Sequence, residues 1–529
     1  MPNYDKYDDL LFQLEDDLKH PCNIIDGEYV NTAKTTTIIN PLDGTPMFTQ
    51  PDTQVGEIKP FLDSLAKCPK SGLHNPIRFM DKGVNRYLML GEVSFQAAKA
   101  LENPKVAKYF ATLMQKVMPK SYTQSMAEVT VTCQFLKNFS GDQVRFLANG
   151  KTAPGDRIGQ QTQDYRFPMG REGLDEPFNF SLEIIVLQVM SSLYMGNKPL
   201  AKSATKVAVV FDQFLSLLHW CGLPIEDVDL IHCSGPVFGE LLRQGKDIIN
   251  CVQFTGSTRV AKEILHIMDG RAKVEDSGFN WKILGPDYRK EYLNYVAWQS
   301  DQDAYSASGQ KCSAQSILFA HQDWVNGNFF PRIKELASTR NLKDLTVGPV
   351  LSVTTEKMLE HVEKLLKIPG AKLVFGGKQL VGHKIPKCYG AIEPTAIYLP
   401  LGQVYNPKHF DLVTTEMFGP VQIVTTYVNR ELSTVLDICE RIEHNLTAAV
   451  VSNDPTFLNE VLGNTTNGTT YAGIKARTTG APQNHWFGPS GPCAAGIGTR
   501  DAVMGVHGCQ KGHNLDFGPI DGTESLVQS

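Results

Sequence analysis

The sequence predicts an α/β protein made of two strand–helix units, each with a parallel sheet covered by helices on both faces. Three observations predict this. Apolar runs of helix and strand character alternate between residues 184 and 254, and the same alternation returns between 354 and 451. A chain of 529 residues also exceeds what one hydrophobic core supports, because chains beyond about 250–300 residues split into domains. Alternating strands and helices imply parallel pairing, the architecture that most often carries nucleotides.

Taken in order, the chain opens on an acidic segment, residues 1–21, with Asp5, Asp8, Asp9, Glu15, Asp16 and Asp17. Transit peptides are Arg-rich and acid-poor, so none is expected here. Residues 22–49 read as short strands around the Gly27-Glu28 and Asn40-Pro41-Leu42-Asp43-Gly44 turns, an edge hairpin. Helical spacing from about 85 to 146 (Tyr87, Leu88, Leu90; Val129, Phe135, Leu136, Phe139) predicts two or three long helices. Residues 149–163 are polar and turn-rich, as suits an arm outside the core. The first alternation then predicts a helix over 184–194, a strand over 199–204, a helix over 207–221 and strands over 228–233 and 248–254. The second predicts a helix over 354–366, strands over 372–375 and 391–398, a helix over 432–444 and a strand over 448–451.

Composition narrows the function. With 56 acidic against 51 basic residues and no dense Lys/Arg block, nothing attracts a nucleic-acid backbone or an anionic membrane. No apolar run approaches the roughly 20 residues of a membrane helix, so a soluble protein is expected. The 11 cysteines are scattered without a C-x-x-C pair, which argues against disulfides and structural zinc and for a reducing compartment. The sequons at Asn138, Asn179, Asn445, Asn464 and Asn467 read as chance matches.

Four features carry chemistry. Residues 306–316 set Cys312 among Gly and Ser, where the backbone turns tightly, and Lys311 beside it is expected to favour the thiolate. Gly256-Ser257, between a strand and a helix, offers N–H groups to a pyrophosphate. Glu275 is a candidate general base, and Asn179, between Phe178 and Phe180, a candidate oxyanion donor. Each also has a plain structural reading: a small buried thiol, an ordinary βα loop lacking G-x-G-x-x-G, a solvated carboxylate, a turn-capping amide.

Together these pieces resemble the aldehyde dehydrogenase superfamily. Asn179, Lys202, Phe254-Thr255-Gly256-Ser257, Glu275, Gly309-Gln310-Lys311-Cys312 and Glu416-Met417-Phe418-Gly419-Pro420 stand in its order and approximate spacing, and the resemblance spans about residues 22–520. Stretches 281–286, 301–305 and 478–488 are similar to its plant-type Δ1-pyrroline-5-carboxylate dehydrogenase branch. The resemblance implies an aldehyde dehydrogenase-like fold. It has a Rossmann-type NAD-binding domain (22–148 and 168–299), an α/β catalytic domain (300–497) and a β oligomerisation arm (149–167 and 498–522). It implies NAD-dependent oxidation of L-glutamate γ-semialdehyde to L-glutamate in proline degradation, by a homo-oligomer of two or more chains. Cys312 is then the nucleophile, Asn179 with the Cys312 N–H the oxyanion site, and Glu275 the base for thioester hydrolysis. Phe178, Lys202, Gly256, Ser257, Glu416 and Phe418 would bind the cofactor; Ser313, Gly480, Ala481 and Phe487 would bind the substrate; no metal is implied. The branch is mitochondrial, which implies the matrix, whereas the acidic start makes the cytoplasm the alternative.

Three departures qualify the resemblance. Before Pro177 the family has an apolar strand, but here Arg171, Glu172, Asp175 and Glu176 replace aliphatics. Unpaired charge in a doubly covered sheet costs several kcal/mol, so the strand is expected to be shortened, shifted or lost, displacing Asn179. Ser181 replaces a proline and loosens the same corner, and Thr205 stands where many NAD-selective members have a glutamate. A catalytically silent dinucleotide-binding or scaffold member, and a dehydrogenase for a different semialdehyde, are the alternative functions.

Overall fold

The computed structural model describes residues 6–528 apart from 277, 482, 519, 521 and 523–527; Asp5 of the acidic segment and part of the 498–522 segment lie outside the described residues. Two seven-stranded sheets dominate. In the first the order is Ala272–Asp276, Cys251–Gly256, Arg171–Glu176, Lys198–Ser203, Asp229–Leu230, Asn23–Ile25, Glu28–Val30. The first five strands run parallel and the 23–30 hairpin closes the edge antiparallel. The second sheet runs Lys372–Phe375, Thr395–Tyr398, Val421–Tyr427, Gln315–His321, Asn280–Leu284, Thr447–Val451, Thr469–Ala472, parallel except at its first pair.

Both sheets are covered on both faces, and the two-residue side-chain period shows it. Leu174, Ala201 and Leu230 enter one core, whereas Leu200, Ile231, Val252 and Phe254 enter the opposite one. In the second sheet Ile317, Phe319, Ile423 and Val450 oppose Leu318, Ala320, Val424 and Val451. Three long helices, Arg86–Glu102, Pro104–Val117 and Tyr122–Asn138, join the larger core. Their starts are set by side-chain caps at Asn85, Asn103 (followed by Pro104) and Ser121. The predicted strand over 228–233 reduces to Asp229–Leu230, and that over 391–398 to Thr395–Tyr398 behind Pro394, which has no N–H to pair.

Two placements matter for the site. The chain passes from the first sheet to the second between Asp276 and Asn280, ahead of the boundary expected at 299. Outside both units, Thr152–Pro154, Gln160–Pro168 and Gly508–Asp516 form a three-stranded antiparallel sheet, paired from Gly508↔Pro168 to Asp516↔Gln160.

The charged strand does not break, contrary to the sequence expectation. Arg171–Glu176 is a six-residue central strand, paired in parallel on both sides. Arg171 is half-buried and Glu172, Asp175 and Glu176 are buried, and the first three find partners elsewhere in the chain. The Arg171 guanidinium leaves the sheet and donates to the Cys68 and Ala66 carbonyls. Glu172 accepts from Ser192 Oγ at 2.6 Å and lies 2.9 Å from His507 Nδ1, whose Nε2 sits 2.8 Å from Gln188 Oε1. Asp175 pairs with Lys202 at 2.6 Å. Glu176 is handled differently: neither carboxyl oxygen has a hydrogen-bond partner among the described residues, and burial pushes the carboxyl well above the usual range, which favours its neutral form. Each device removes the uncompensated charge that would expel the strand.

Candidate active site

Strand order reverses between Arg171–Glu176 and Cys251–Gly256: the chain first moves outward on one side, then returns to pair on the other. Such a switch point leaves a crevice at the carboxyl ends of the strands. A cavity of about 1080 Å³ occupies it, and Asn179, Phe178, Lys202, Gly256, Ser257, Glu275, Glu416, Phe418 and Cys312 all line it. That volume is at the upper end of the roughly 300–1,000 Å³ of small-molecule sites.

Cys312 lies in the turn preceding Gln315–His321, so the second sheet presents it. The loop before it is bent by three successive residues with left-handed φ, Ala307 (53°), Ser308 (57°) and Gly309 (70°). Such a run is costly for residues with side chains and persists only when the surroundings fix it. Here Ser308 Oγ accepts from Gly348 N at 2.7 Å, and Gln310 bridges Leu351 N and the Ala307 and Pro349 carbonyls. Gly309 is required by close approach as well, since a Cβ there would lie 2.2 Å from the Gly419 carbonyl oxygen. From the other side Asn280 Nδ2 donates to the carbonyls of Cys312 (2.7 Å) and Ala314 (2.8 Å), while its Oδ1 accepts from Thr447. Gly278 passes so near that a Cβ would stand 1.8 Å from the Cys312 carbonyl oxygen.

Glu275 is the next-to-last residue of the strand Ala272–Asp276, and it lines the cavity together with Cys312. Burial pushes the Glu275 carboxyl up to about 7, the thiol contact opposing the rise. Cys312 is pushed well above the usual thiol range, first by burial and then by the negative charges of Glu275, Glu416 and Glu183. The help expected from Lys311 is not what dominates: Lys311 is itself buried, and burial lowers it to about 8. The resting pair is therefore a neutral thiol beside a carboxyl poised to take a proton near neutrality.

Asn179 keeps its place. It is buried behind the intact strand, and its Nδ2 has no hydrogen-bond partner among the described residues, leaving a donor aimed by the fold rather than consumed by it. The corner around Ser181 is fixed where loosening was expected. Lys120, fully buried, donates to the Asn179 carbonyl at 3.1 Å and to Glu128 at 2.6 Å, and Glu128 Oε2 accepts from Leu182 N at 3.4 Å. A buried ion pair thus clamps the backbone on both sides of position 181.

The other arm of the cavity suits a dinucleotide. Ser257 caps Thr258–Ile267 without a side-chain hydrogen bond to the helix, and it lines the cavity beside Gly256. Lys202 stands further along, held by Asp175. Glu416 accepts from Gly278 N at 3.1 Å, and the Phe178 and Phe418 rings meet edge-on at 5.8 Å, Phe418 in a left-handed conformation (φ 48°). Thr205 faces away, its hydroxyl donating to the Cys233 carbonyl.

Four candidates lie outside this lining. Ser313 is buried next to Cys312, and Phe487 is buried in the larger core, against which Cys312 also packs. Gly480 and Ala481 are half-buried in the late loop, where a Cβ on Gly480 would strike the Tyr471 hydroxyl at 1.6 Å. That loop is fastened by Asp303, which accepts from Thr478 N and Thr479 Oγ1 and pairs with Lys282 at 2.6 Å, all in the second unit. Sequence reasoning missed Asn280, Lys120, Glu128 and Asp303 because each acts through a partner far along the chain; for Asp175 the signal was visible but read as a defect.

Among the described residues no group of His, Cys, Asp and Glu is placed to hold a metal ion, and no helix is long and apolar enough to cross a membrane. Residues 90–509 match the aldehyde dehydrogenase family. The chain is 51% identical over 506 residues to a mitochondrial delta-1-pyrroline-5-carboxylate dehydrogenase of Arabidopsis thaliana, covering 95% of this chain and 90% of that one. It is 24% identical over 457 residues to a 1-pyrroline-5-carboxylate dehydrogenase of Bacillus pumilus, covering 82% and 81%. In fold it is similar to a betaine aldehyde dehydrogenase of Staphylococcus aureus solved in complex with NAD+, with a TM-score of 0.80 at 18% identity, covering 98% of this chain and 100% of that one. A thiol, a carboxyl and an amide converging on a switch-point crevice, together with a family match over most of its length, make this chain a member of the aldehyde dehydrogenase family.

Proposed function

We propose that this protein oxidises L-glutamate γ-semialdehyde, the open form of Δ1-pyrroline-5-carboxylate, to L-glutamate with NAD, the oxidative step of proline degradation. The observation that carries it is the convergence of Cys312, Glu275 and Asn179 at one end of a dinucleotide-sized cavity, in a chain half identical to a plant enzyme of that name. Gly256, Ser257 and Lys202 would hold the cofactor's phosphate and adenosine end, and Phe178, Glu416 and Phe418 its nicotinamide end; when bound, the cofactor accepts the hydride.

The chain's own residues do the rest. Glu275 takes the thiol proton and Cys312 Sγ attacks the aldehyde carbon, giving a hemithioacetal whose oxyanion is met by Asn179 Nδ2 and the Cys312 N–H. Collapse of that oxyanion expels hydride and leaves a thioester. After passing the thiol proton to solvent, Glu275 deprotonates a water, whose attack on the thioester expels the Cys312 thiolate and frees glutamate; the thiolate then recovers a proton from Glu275. For the substrate we assign Ser313 and the Gly480 and Ala481 amides to the distal carboxylate, which needs close-approaching donors, and Phe487 to the aliphatic stem.

The first sheet's unit is assigned to nucleotide binding and the second to catalysis. The sheet formed by 152–168 and 508–516, with Ile158 and Phe517 exposed on it, is assigned to association with further copies of the chain. The Arabidopsis relative's compartment supports a mitochondrial site of action. The experiment is NADH formation by purified protein: kcat/KM should be highest for Δ1-pyrroline-5-carboxylate, lower for succinate semialdehyde and a short aliphatic aldehyde, and zero for Cys312→Ala. Preference for another aldehyde, or turnover retained by Cys312→Ala, would contradict the assignment.

A further inference from the structure

The strand Arg171–Glu176 places one charged side chain inside the cofactor arm of the cavity, and it is Asp175. Parallel pairing sets Asp175 directly opposite Lys202, and the two side chains meet at 2.6 Å. Both are nearly buried yet both line the cavity. Burial works against the Lys202 charge, and the Asp175 carboxylate more than offsets it, so the ammonium is held above its ordinary range. The loop beyond Lys202 adds no acidic group: Thr205 is the residue there, and its hydroxyl is used on Cys233. Among the cavity-lining residues, Asp175 is the carboxylate paired with Lys202.

We propose that Asp175 makes this chain select a dinucleotide with a free adenosine ribose over one bearing a 2′-phosphate, that is, NAD over NADP. This rests on the reading of the cavity as a dinucleotide site. A vicinal diol suits a buried carboxylate–ammonium pair, because one hydroxyl donates to the carboxylate while the other accepts from the ammonium. A 2′-phosphate donates nothing at neutral pH and brings negative charge against Asp175 in a water-poor cleft, where like charges are strongly unfavourable. For Lys202 to bind the phosphate it would have to give up its 2.6 Å pair with Asp175, leaving that carboxylate unpaired against the phosphate. The carboxylate that looks like a defect in an apolar strand is then the source of cofactor choice.

The test uses cofactor fragments that cannot react. Calorimetric Kd values for ADP-ribose and 2′-phospho-ADP-ribose are measured on the full-length wild type, Asp175→Asn, and the double variant Asp175→Asn/Lys202→Gln, which removes both charges together should the single variant not fold. Wild type should bind the unphosphorylated fragment more tightly by on the order of tenfold or more. Asp175→Asn should bring the two affinities together or reverse them, mainly by tightening the phosphorylated fragment, and the double variant should also lower the ratio. Equal affinities in wild type, or a ratio that neither variant moves, would overturn the role of Asp175 while leaving the dinucleotide site standing. Failure of wild type to bind either fragment would overturn the dinucleotide reading itself, and this inference with it.

Discussion

At the scale of single residues, the protonation of two side chains decides when the chemistry runs. Glu275 lies near 7 because burial disfavours its charge, and Cys312 is held as the thiol by burial and by surrounding carboxyls. A carboxyl raised to about 7 is protonated below that pH and cannot accept a proton from water. Hydrolysis of the thioester should therefore slow by about tenfold per pH unit below 7 and level off above it. In pre-steady-state turnover at varied pH, wild type should show that acid limb and Glu275→Gln a low, flat rate; an inflection near the ordinary 4.5 of a glutamate would remove burial as the tuning device. Cys312, Glu275 and Asn179 were legible as residue types in the sequence. Their proton states were not, because desolvation depends on what three separate strands and loops place around them.

The element that best separates sequence from structure is the strand Arg171–Glu176. Pattern alone marks it as an interruption, because four charged side chains stand where a doubly covered strand needs apolar ones. Its neighbours restore it: Lys202 arrives from the adjacent strand and His507 from 335 positions away, and no local window contains that pairing. The corner after it shows the same logic. Losing the proline at position 181 frees one backbone angle, and the Lys120–Glu128 pair, drawn from the helix Tyr122–Asn138 and the turn before it, fixes the backbone on either side. Lys120→Met should leave Glu128 buried without its partner and lower unfolding stability by about 3–5 kcal/mol, read from denaturant midpoints at constant m-value. It should also slow the chemical step, since Asn179 loses its anchor. A stability change within about 0.5 kcal/mol would mean the pair is not holding the corner. By contrast, the helix Thr355–Leu366 agrees with its sequence reading almost to the residue, because burying one face, with Met358, Val362 and Leu365, is all it requires.

In the proposed mechanism the whole molecule divides the reaction between its two sheets. Glu275 is the next-to-last residue of a strand of the first and Cys312 precedes a strand of the second. The connection through Gly278 and Asn280 packs against the Cys312 carbonyl so closely that neither sheet can shift without moving the other's reactive group. Two α/β units were legible from strand–helix alternation, but not this short crossing between Asp276 and Asn280, which has no apolar pattern of its own. The central claim is that the first unit supplies the base that clears an acyl group carried by the second. The measurement that tests it most directly is intact mass of Glu275→Gln mixed with Δ1-pyrroline-5-carboxylate and NAD, sampled during the first turnover. The account requires NADH to form more slowly than in wild type, because the thiol has lost its base, and to stop at one equivalent, with the protein heavier by one glutamyl group mapped by peptide digestion to Cys312; free glutamate released at the wild-type rate with no adduct would contradict it.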